Sequence, residues 1–282
     1  VIEPGPVRGA LAAGIRTLQE AGVPTPSTDA AQLLAHVLQV EFTALGLAPA
    51  LDQRQADEYE QLLRVRATRI PLQYIAGFTW FYGLPIAVGP GVFVPRPETE
   101  LLAQWAIGEI SDRPGARVVD LCSGSGAVAI AVAESTDAHV EAVESDPEAF
   151  VWLLRNRAAH AEIVTDLRAV FGDATSPDLD IEPGVDLITC NPPYVPASSQ
   201  VTAEVRHDPS RAVFAGDDGL SVIAALVPQF ARLLSPGGAV MVEHDESHQH
   251  AVMNLLADGG FTQVSPVLDL ASRPRFVSAV RR

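Results

Sequence analysis

The chain has 282 residues, 48% hydrophobic and 19% charged, which supplies a core and argues against wholesale disorder. A formal net charge of −16 with no block of Lys or Arg argues against a protein that lives on phosphate contacts, because such proteins gain affinity by releasing counterions to a basic face. No apolar run reaches the roughly 20 residues of a membrane span, and two cysteines without metal-ligand spacing fit a reducing cytosol, so a cytoplasmic protein is expected.

The opening Val1-Ile2-Glu3-Pro4 lacks the pattern of a secretory leader, and a first residue other than Met is consistent with a natural start lying upstream. Residues 7–21 put Leu11, Ile15 and Leu18 on one face of a helix that Pro24 and Pro26 end. Thr28-Asp29 is suited to cap a second helix carrying Leu33, Leu34, Val37 and Leu38. Asp52 is suited to open a third, through Tyr59, Leu62, Leu63 and Val65, which Pro71 closes. Residues 1–80 therefore form a small helical domain. Residues 81–95 alternate like a β-hairpin linker, with Gly89-Pro90-Gly91 as its turn.

From residue 96 to 282 the pattern is α/β. Apolar runs at 117–122, 140–144, 168–171, 185–190, 239–244 and 276–280 read as strands. Helical stretches at 127–134, 148–160 and 220–234 separate several of them, which implies a mostly parallel sheet covered on both faces. Ligands of such sheets bind beyond the carboxyl ends of the strands.

The first strand ends in Asp120-Leu121-Cys122-Ser123-Gly124-Ser125-Gly126, whose glycines let backbone approach a ligand at the start of a helix. It is neither a complete dinucleotide fingerprint nor a P-loop, and without a ligand it is a tight strand-to-helix turn. Glu144, 18 residues after Gly126, ends the second strand, where a carboxylate can accept from both hydroxyls of a ribose. Asp173 and Ala174 end the third, placed for the exocyclic amine and a ring nitrogen of adenine. Three such ends in succession suit a nucleoside, and the absence of a cationic cluster for pyrophosphate favours S-adenosylmethionine, leaving S-adenosylhomocysteine as product.

The fourth strand ends in Asn191-Pro192-Pro193-Tyr194. Two prolines stiffen the chain and remove donors, so the Asn191 side-chain oxygen and the Pro192 carbonyl can converge on one –NH₂ group. Tyr194 offers a flat wall for a planar substrate. An amide nitrogen is a poor nucleophile, and two acceptors on its hydrogens favour the positive charge that grows there during methylation. A proline-rich turn leaving a strand is the structural alternative.

These segments resemble the ordered motifs of class I methyltransferases that act on planar-amine nitrogens. Arg69-Ile70-Pro71-Leu72-Gln73-Tyr74-Ile75-Ala76-Gly77, Val94-Pro95-Arg96-Pro97-Glu98-Thr99-Glu100 and the stretch from Arg206 to Leu220 are similar to signatures of the peptide chain release factor N(5)-glutamine methyltransferases, the HemK/PrmC family. The resemblance covers nearly the whole chain. It implies a Rossmann-like sheet of seven strands with a reversed final hairpin and a small N-terminal helical domain that helps dock the release factor. It implies that the 122–126 loop binds the methionine part of the cofactor, Glu144 the ribose and Asp173-Ala174 the adenine end, with Asn191 to Tyr194 holding the glutamine of a Gly-Gly-Gln tripeptide. It implies no metal, while the charge of −16 and the missing basic run count against a direct nucleic-acid partner. Three positions depart from the family pattern: Cys122 stands for a glycine, Glu144 for the usual Asp, and Ala174 for a larger residue.

Arg96, Glu98 and Glu100 read equally as a closing element over the site or as ion pairs at a junction. His244, His248 and His250 are expected on a solvated loop, and Trp80, Trp105 and Trp152 in packing. The rival acceptors are a glutamine of a ribosomal protein and the exocyclic amine of a nucleic-acid base, and the rival class is a nucleoside-binding scaffold without catalysis.

Overall fold

The computed structural model describes residues 2–282, and Val1 lies outside them. The chain divides into two compact units: one runs up to Phe78 and takes in Val201–His207, the other comprises Thr79–Gln200 and Asp208–Arg282.

The first unit is helical, with α1 (Val7–Glu20), α2 (Pro26–Leu38), α3 (Gln53–Ala67) and the short α4 (Leu72–Ala76). Its core holds Leu18, Leu33, Leu34, Tyr59 and Leu63. Gly14 of α1 is fixed by packing, since a Cβ there would stand 2.1 Å from the Tyr59 hydroxyl. Asp52 caps α3 as expected, accepting from Gln55 N at 2.8 Å while the Gln55 side chain accepts from Asp52 N at 3.0 Å. The start of α2 is corrected. Pro26 occupies the first helical position, where its fixed φ and missing N–H are tolerated, and Thr25 precedes it. Asp29 is thus a buried residue of the first turn whose Oδ2 accepts from Arg66 Nε at 2.8 Å. Arg66 and Arg69 also hold Glu204 of the returning segment, Arg69 with two hydrogen bonds of 2.6 and 2.7 Å. Burial opposes the charge on Glu204, but the two guanidinium groups outweigh it and bring its pKa down to about 2. Pro71 does not end α3, which stops at Ala67, but precedes α4.

The hairpin also differs from expectation. Its strands are β1 (Phe78–Phe81) and β2 (Leu84–Ala87), and its turn is Tyr82-Gly83, with φ of 51° and 79°. Two successive left-handed residues match the twist of a two-residue hairpin. Gly89 and Gly91 serve contact instead: a Cβ on Gly89 would meet Trp152 at 2.7 Å, and one on Gly91 would meet Glu148 at 2.5 Å.

The second unit carries the seven-stranded sheet. In chain order its strands are β3 (Arg117–Leu121), β4 (His139–Glu144), β5 (Leu167–Phe171), β6 (Val185–Cys190), β7 (Leu234–Glu243), β8 (Phe261–Leu268) and β9 (Pro274–Arg281). The order across the sheet is β5-β4-β3-β6-β7-β9-β8. The first five in chain order pair in parallel, and the reversed hairpin of β8 and β9 adds antiparallel to β7. Helices α5 (Glu100–Ile110), α6 (Ala127–Ser135), α7 (Pro147–Ala159), the short α8 (Ser210–Val213), α9 (Ser221–Leu233) and α10 (Gln249–Asp258) complete the unit. In α6 the six residues from Ala127 to Val132 are all buried, so apolarity right round this helix reflects packing on every side. β8 escaped direct reading because it is an edge strand with most side chains partly or fully exposed and a left-handed residue, Gln263, that breaks its alternation.

Parallel pairing gathers the strand ends on one edge. Leu121 pairs with Val143 on one side and Cys190 on the other, and Cys190 pairs in turn with Val242. The segments leaving β3, β4, β6 and β7 therefore start level with one another. The reversal of strand order between β3 and β6 opens a crevice at that level.

Candidate active site

The loop leaving β3 is held in an unusual path. Cys122, Gly124 and Gly126 have φ of 61°, 55° and 83°. The two glycines differ in purpose. A Cβ on Gly126 would lie 2.4 Å from Leu153, so that glycine lets α6 and α7 close up; a Cβ on Gly124 would meet nothing among the described residues within 4 Å. Cys122, the non-glycine departure, sits in the left-handed region at a strain of about 1–2 kcal/mol. Asn156 of α7, buried, braces the loop by donating to Ser125 O at 2.9 Å. Ser123 Oγ donates to Asp120 O at 2.7 Å.

Two carboxylates back this loop. Glu144 Oε2 accepts from Gly124 N at 2.8 Å, and its Oε1 accepts from Ser145 N at 2.8 Å and Asp146 N at 2.7 Å. Burial raises its pKa while these backbone donors hold it back. With about two lone pairs per oxygen, Oε2 keeps one for a further donor. Asp120 is 2% exposed; its Oδ1 accepts from Thr189 Oγ1 at 2.7 Å and its Oδ2 is buried with no hydrogen-bond partner among the described residues. Burial pushes the Asp120 carboxyl up to about 6. Asp173 is exposed, and its Oδ1 accepts from the backbone and hydroxyl of Thr175 at 2.8 and 2.7 Å; Ala174 beside it is buried. An open face over Gly124, an unpartnered Asp120 oxygen and a spare Glu144 lone pair are what a ligand rich in hydroxyl and ammonium donors requires.

The segment leaving β6 is held by side chains instead. Asn191 Nδ2 donates to Thr99 Oγ1 at 3.2 Å, and Thr99 Oγ1 donates to Glu243 Oε2 at 2.8 Å. Tyr194 OH donates to Glu243 Oε1 at 3.0 Å. Glu243, the last residue of β7, is 2% exposed, and burial pushes it up to about 7. The Tyr194 hydroxyl is raised well above its ordinary value by burial and then by the Glu243 charge. With Nδ2 committed to Thr99, Asn191 Oδ1 lies on the other side of the amide, available to accept. Pro192 is buried and Pro193 half-buried. The 213–219 segment buttresses this loop: Val195 N donates to Val213 O and Ala215 N to Val195 O, both at 2.9 Å, and Gly219 lies so close that a Cβ would stand 2.4 Å from Tyr194 O.

The charged residues around Thr99 turn out to be engaged. Arg96 Nη2 donates to Asp208 Oδ2 at 2.7 Å and its guanidinium lies 4.9 Å from the Phe93 ring centroid. Glu98 accepts from Arg273 at 2.9 Å, and Glu100 from Tyr82 N at 2.9 Å. They brace the 3-10 turn Pro97–Thr99, and Thr99 is the member of that signature that reaches Asn191. The expected solvated histidine loop is corrected: His244 directly follows β7 and is fully buried, donating from Nδ1 to Asp245 O at 2.7 Å, His248 is buried, and only His250 of the three is exposed. Trp80, at 61% exposed, is not a core residue, whereas Trp152 is half-buried against Pro90, to whose carbonyl it donates at 3.2 Å.

Comparison with known proteins places this geometry. Residues 9–77 match the PrmC N-terminal domain, and residues 86–209 match the methyltransferase small domain. The chain is 42% identical to a release factor glutamine methyltransferase of Mycolicibacterium smegmatis, over 98% of each chain. The chain belongs to the release factor glutamine methyltransferase family. Relatives of the same description from Corynebacterium glutamicum and Streptomyces coelicolor are each 40% identical, over 96% and 95% of this chain and 97% and 96% of theirs. Among solved structures, a 16S rRNA methyltransferase of Thermus thermophilus in complex with AdoMet and guanosine superposes with a TM-score of 0.52 at 23% identity, covering 73% of this chain and 50% of that one. A methyltransferase from Pyrococcus furiosus gives 0.52 at 17%, covering 71% and 89%. These two likenesses establish the methyltransferase fold.

Two residues of the hydrogen-bond network around Asn191 are not singled out by the sequence. Thr99 was visible only as the neutral member of a charged signature. Glu243 was visible only as the acid that ends a strand, the same signal that singles out Glu144.

Proposed function

We propose that the chain transfers a methyl group from S-adenosylmethionine to the side-chain amide nitrogen of a glutamine in peptide chain release factors, the glutamine of their Gly-Gly-Gln motif, in the cytoplasm. The observation that carries this reading is the tethered Asn191 amide, whose Nδ2 is held by Thr99 one strand away from the 122–126 loop. Bound there, S-adenosylmethionine supplies an activated methyl on a sulfonium. Gly124, Asp120 and Glu144 would hold its methionine and ribose portions, and Asp173 and Ala174 its adenine.

The chain's own task is then positioning. Asn191 Oδ1 and the Pro192 carbonyl accept the two amide hydrogens and turn the nitrogen toward the donor side of the crevice. As positive charge grows on nitrogen, the same two acceptors stabilise it without reorganising. Tyr194 restricts the amide plane. No strong base is needed before attack, because the methylated nitrogen becomes acidic and sheds its proton afterwards.

A glutamine amide is small, so selectivity requires contacts remote from the reacting atoms. We assign these to the helical unit, which matches the family's N-terminal domain. Short Gly-Gly-Gln peptides should accordingly be far poorer substrates than the folded factor. The test is labelled methyl transfer offered side by side to release factor, ribosomal protein, RNA and DNA. Preferential labelling of the factor supports the reading; preferential labelling of any of the others overturns it.

A further inference from the structure

The acceptor motif is held at both ends by one buried side chain. Asn191 and Tyr194 lie three residues apart, and each ends on a different oxygen of Glu243, Asn191 by way of Thr99. In its ionised form, which prevails above about pH 7, the carboxylate only accepts, so it takes a hydrogen bond from Thr99 and leaves the Thr99 oxygen as an acceptor. An acceptor at that point requires the –NH₂ side of the Asn191 amide to face it. The polarity of the whole chain is therefore set at Glu243. Were that group a donor, Thr99 could turn its proton to Asn191 and the amide could present its nitrogen to the crevice, where it would repel the –NH₂ of a substrate.

We propose that Glu243 is a positioning residue for methyl transfer, dictating through Thr99 which face of the Asn191 amide meets the acceptor and through its other oxygen where the Tyr194 ring stands. This rests on the glutamine-methylation reading above. The carboxylate is near enough to feel Arg275, which favours its charge, and Glu98, which opposes it, and its charge is felt in turn at the Cys190 thiol and the Tyr194 hydroxyl. Glu243→Gln keeps the shape but can accept on only one side, so one of its two hydroxyl links must reverse its direction or be lost.

Steady-state methylation of release factor by the full chain tests this, with cofactor affinity measured in parallel by calorimetry. Glu243→Gln and Thr99→Val should each lower kcat by roughly 10-fold or more, with KM for the factor and cofactor affinity nearly unchanged. The double variant should be no worse than the poorer single one, because both cut the same chain of hydrogen bonds. Thr99→Ser, which keeps the hydroxyl, should restore kcat. Independent, multiplicative losses would overturn the proposal, as would a Thr99→Ser variant as slow as Thr99→Val, or an unchanged kcat in Glu243→Gln. If Glu243→Gln loses cofactor binding, its defect is one of folding, and the Thr99 pair then decides. If the unaltered chain methylates some acceptor other than the factor, the functional reading fails by itself, and the same variants measured on that acceptor still decide the role of Glu243.

Discussion

The two halves of the crevice are built by different means. On the side of β3 and β4 the holding groups are backbone: Glu144 spends three hydrogen bonds on main-chain N–H groups of Gly124, Ser145 and Asp146. On the side of β6 and β7 they are side chains: Asn191, Thr99, Glu243 and Tyr194 touch one another. A backbone cradle tolerates residue changes as long as the path is kept, which is why Cys122 can replace a glycine if it accepts a φ of 61°. A side-chain relay fails when one hydroxyl is lost. The cradle suits a cofactor common to many enzymes, and the relay suits an acceptor that must be presented in one orientation.

That contrast can be broken experimentally, beginning where the effect is largest. Asn191→Ala removes the acceptor proposed for the reacting nitrogen and should lower kcat/KM for the factor by about 100- to 1000-fold while leaving cofactor affinity within error. An equal loss in both quantities would mean that the two halves are not separable. Glu144→Ala should do the reverse, weakening S-adenosylmethionine binding by about 1.5–3 kcal/mol, with kcat at saturating cofactor much less changed. Calorimetry on a folded variant with unaltered affinity would remove Glu144 from the cofactor site. Gly124→Ala is the finer probe. Its Cβ would meet no protein atom within 4 Å, so the folding cost should be limited to the left-handed backbone, about 1–2 kcal/mol. Cofactor affinity should nevertheless fall, because the methyl points into the space assigned to the ligand; a thermal shift of that size with intact affinity would place the ligand elsewhere.

The smallest effect concerns pH. The folded pKa of Glu243, about 7, lies above its ordinary 4.5, so the native state keeps a proton that the unfolded state releases. Between those values the unfolded chain binds fewer protons, and stability falls as pH rises through the window. Asp120, moved from 3.8 to about 6, acts in the same direction over a lower window. Denaturant titrations should show Glu243→Gln flattening the decline between pH 4.5 and 7; an unchanged slope would mean that the burial of Glu243 is relieved in solution.

The difference between the halves also explains what could be read from sequence. The cradle is local: a glycine loop and an acid at the next strand end follow one another within 24 residues, from Asp120 to Glu144. Strand–helix alternation places them on one edge of a parallel sheet without further information. The relay is not local. Thr99 is 92 residues from Asn191 and 144 from Glu243, and the register between β6 and β7 that sets Asn191 beside Glu243 follows from pairing that no periodicity encodes. The sequence points to Gly89-Pro90-Gly91 and not Tyr82-Gly83 as the hairpin turn for a similar reason: those three turn-forming residues are used for the close approach of α7, which depends on tertiary contact. His244 and His248 are expected on a solvated loop because no matching set of metal ligands surrounds them in the sequence, yet each is enclosed by the fold.

In the mechanism proposed above, the Asn191–Thr99–Glu243 relay presents one amide nitrogen to a methyl donor. Tandem mass spectrometry of release factor after incubation with the enzyme and S-adenosylmethionine tests it most directly. A single added methyl is expected on the side-chain nitrogen of the glutamine in Gly-Gly-Gln, strongly diminished with the Asn191→Ala variant and absent when that glutamine is replaced. A methyl on lysine, on a carboxylate or on another glutamine, or an undiminished yield from Asn191→Ala, would contradict it.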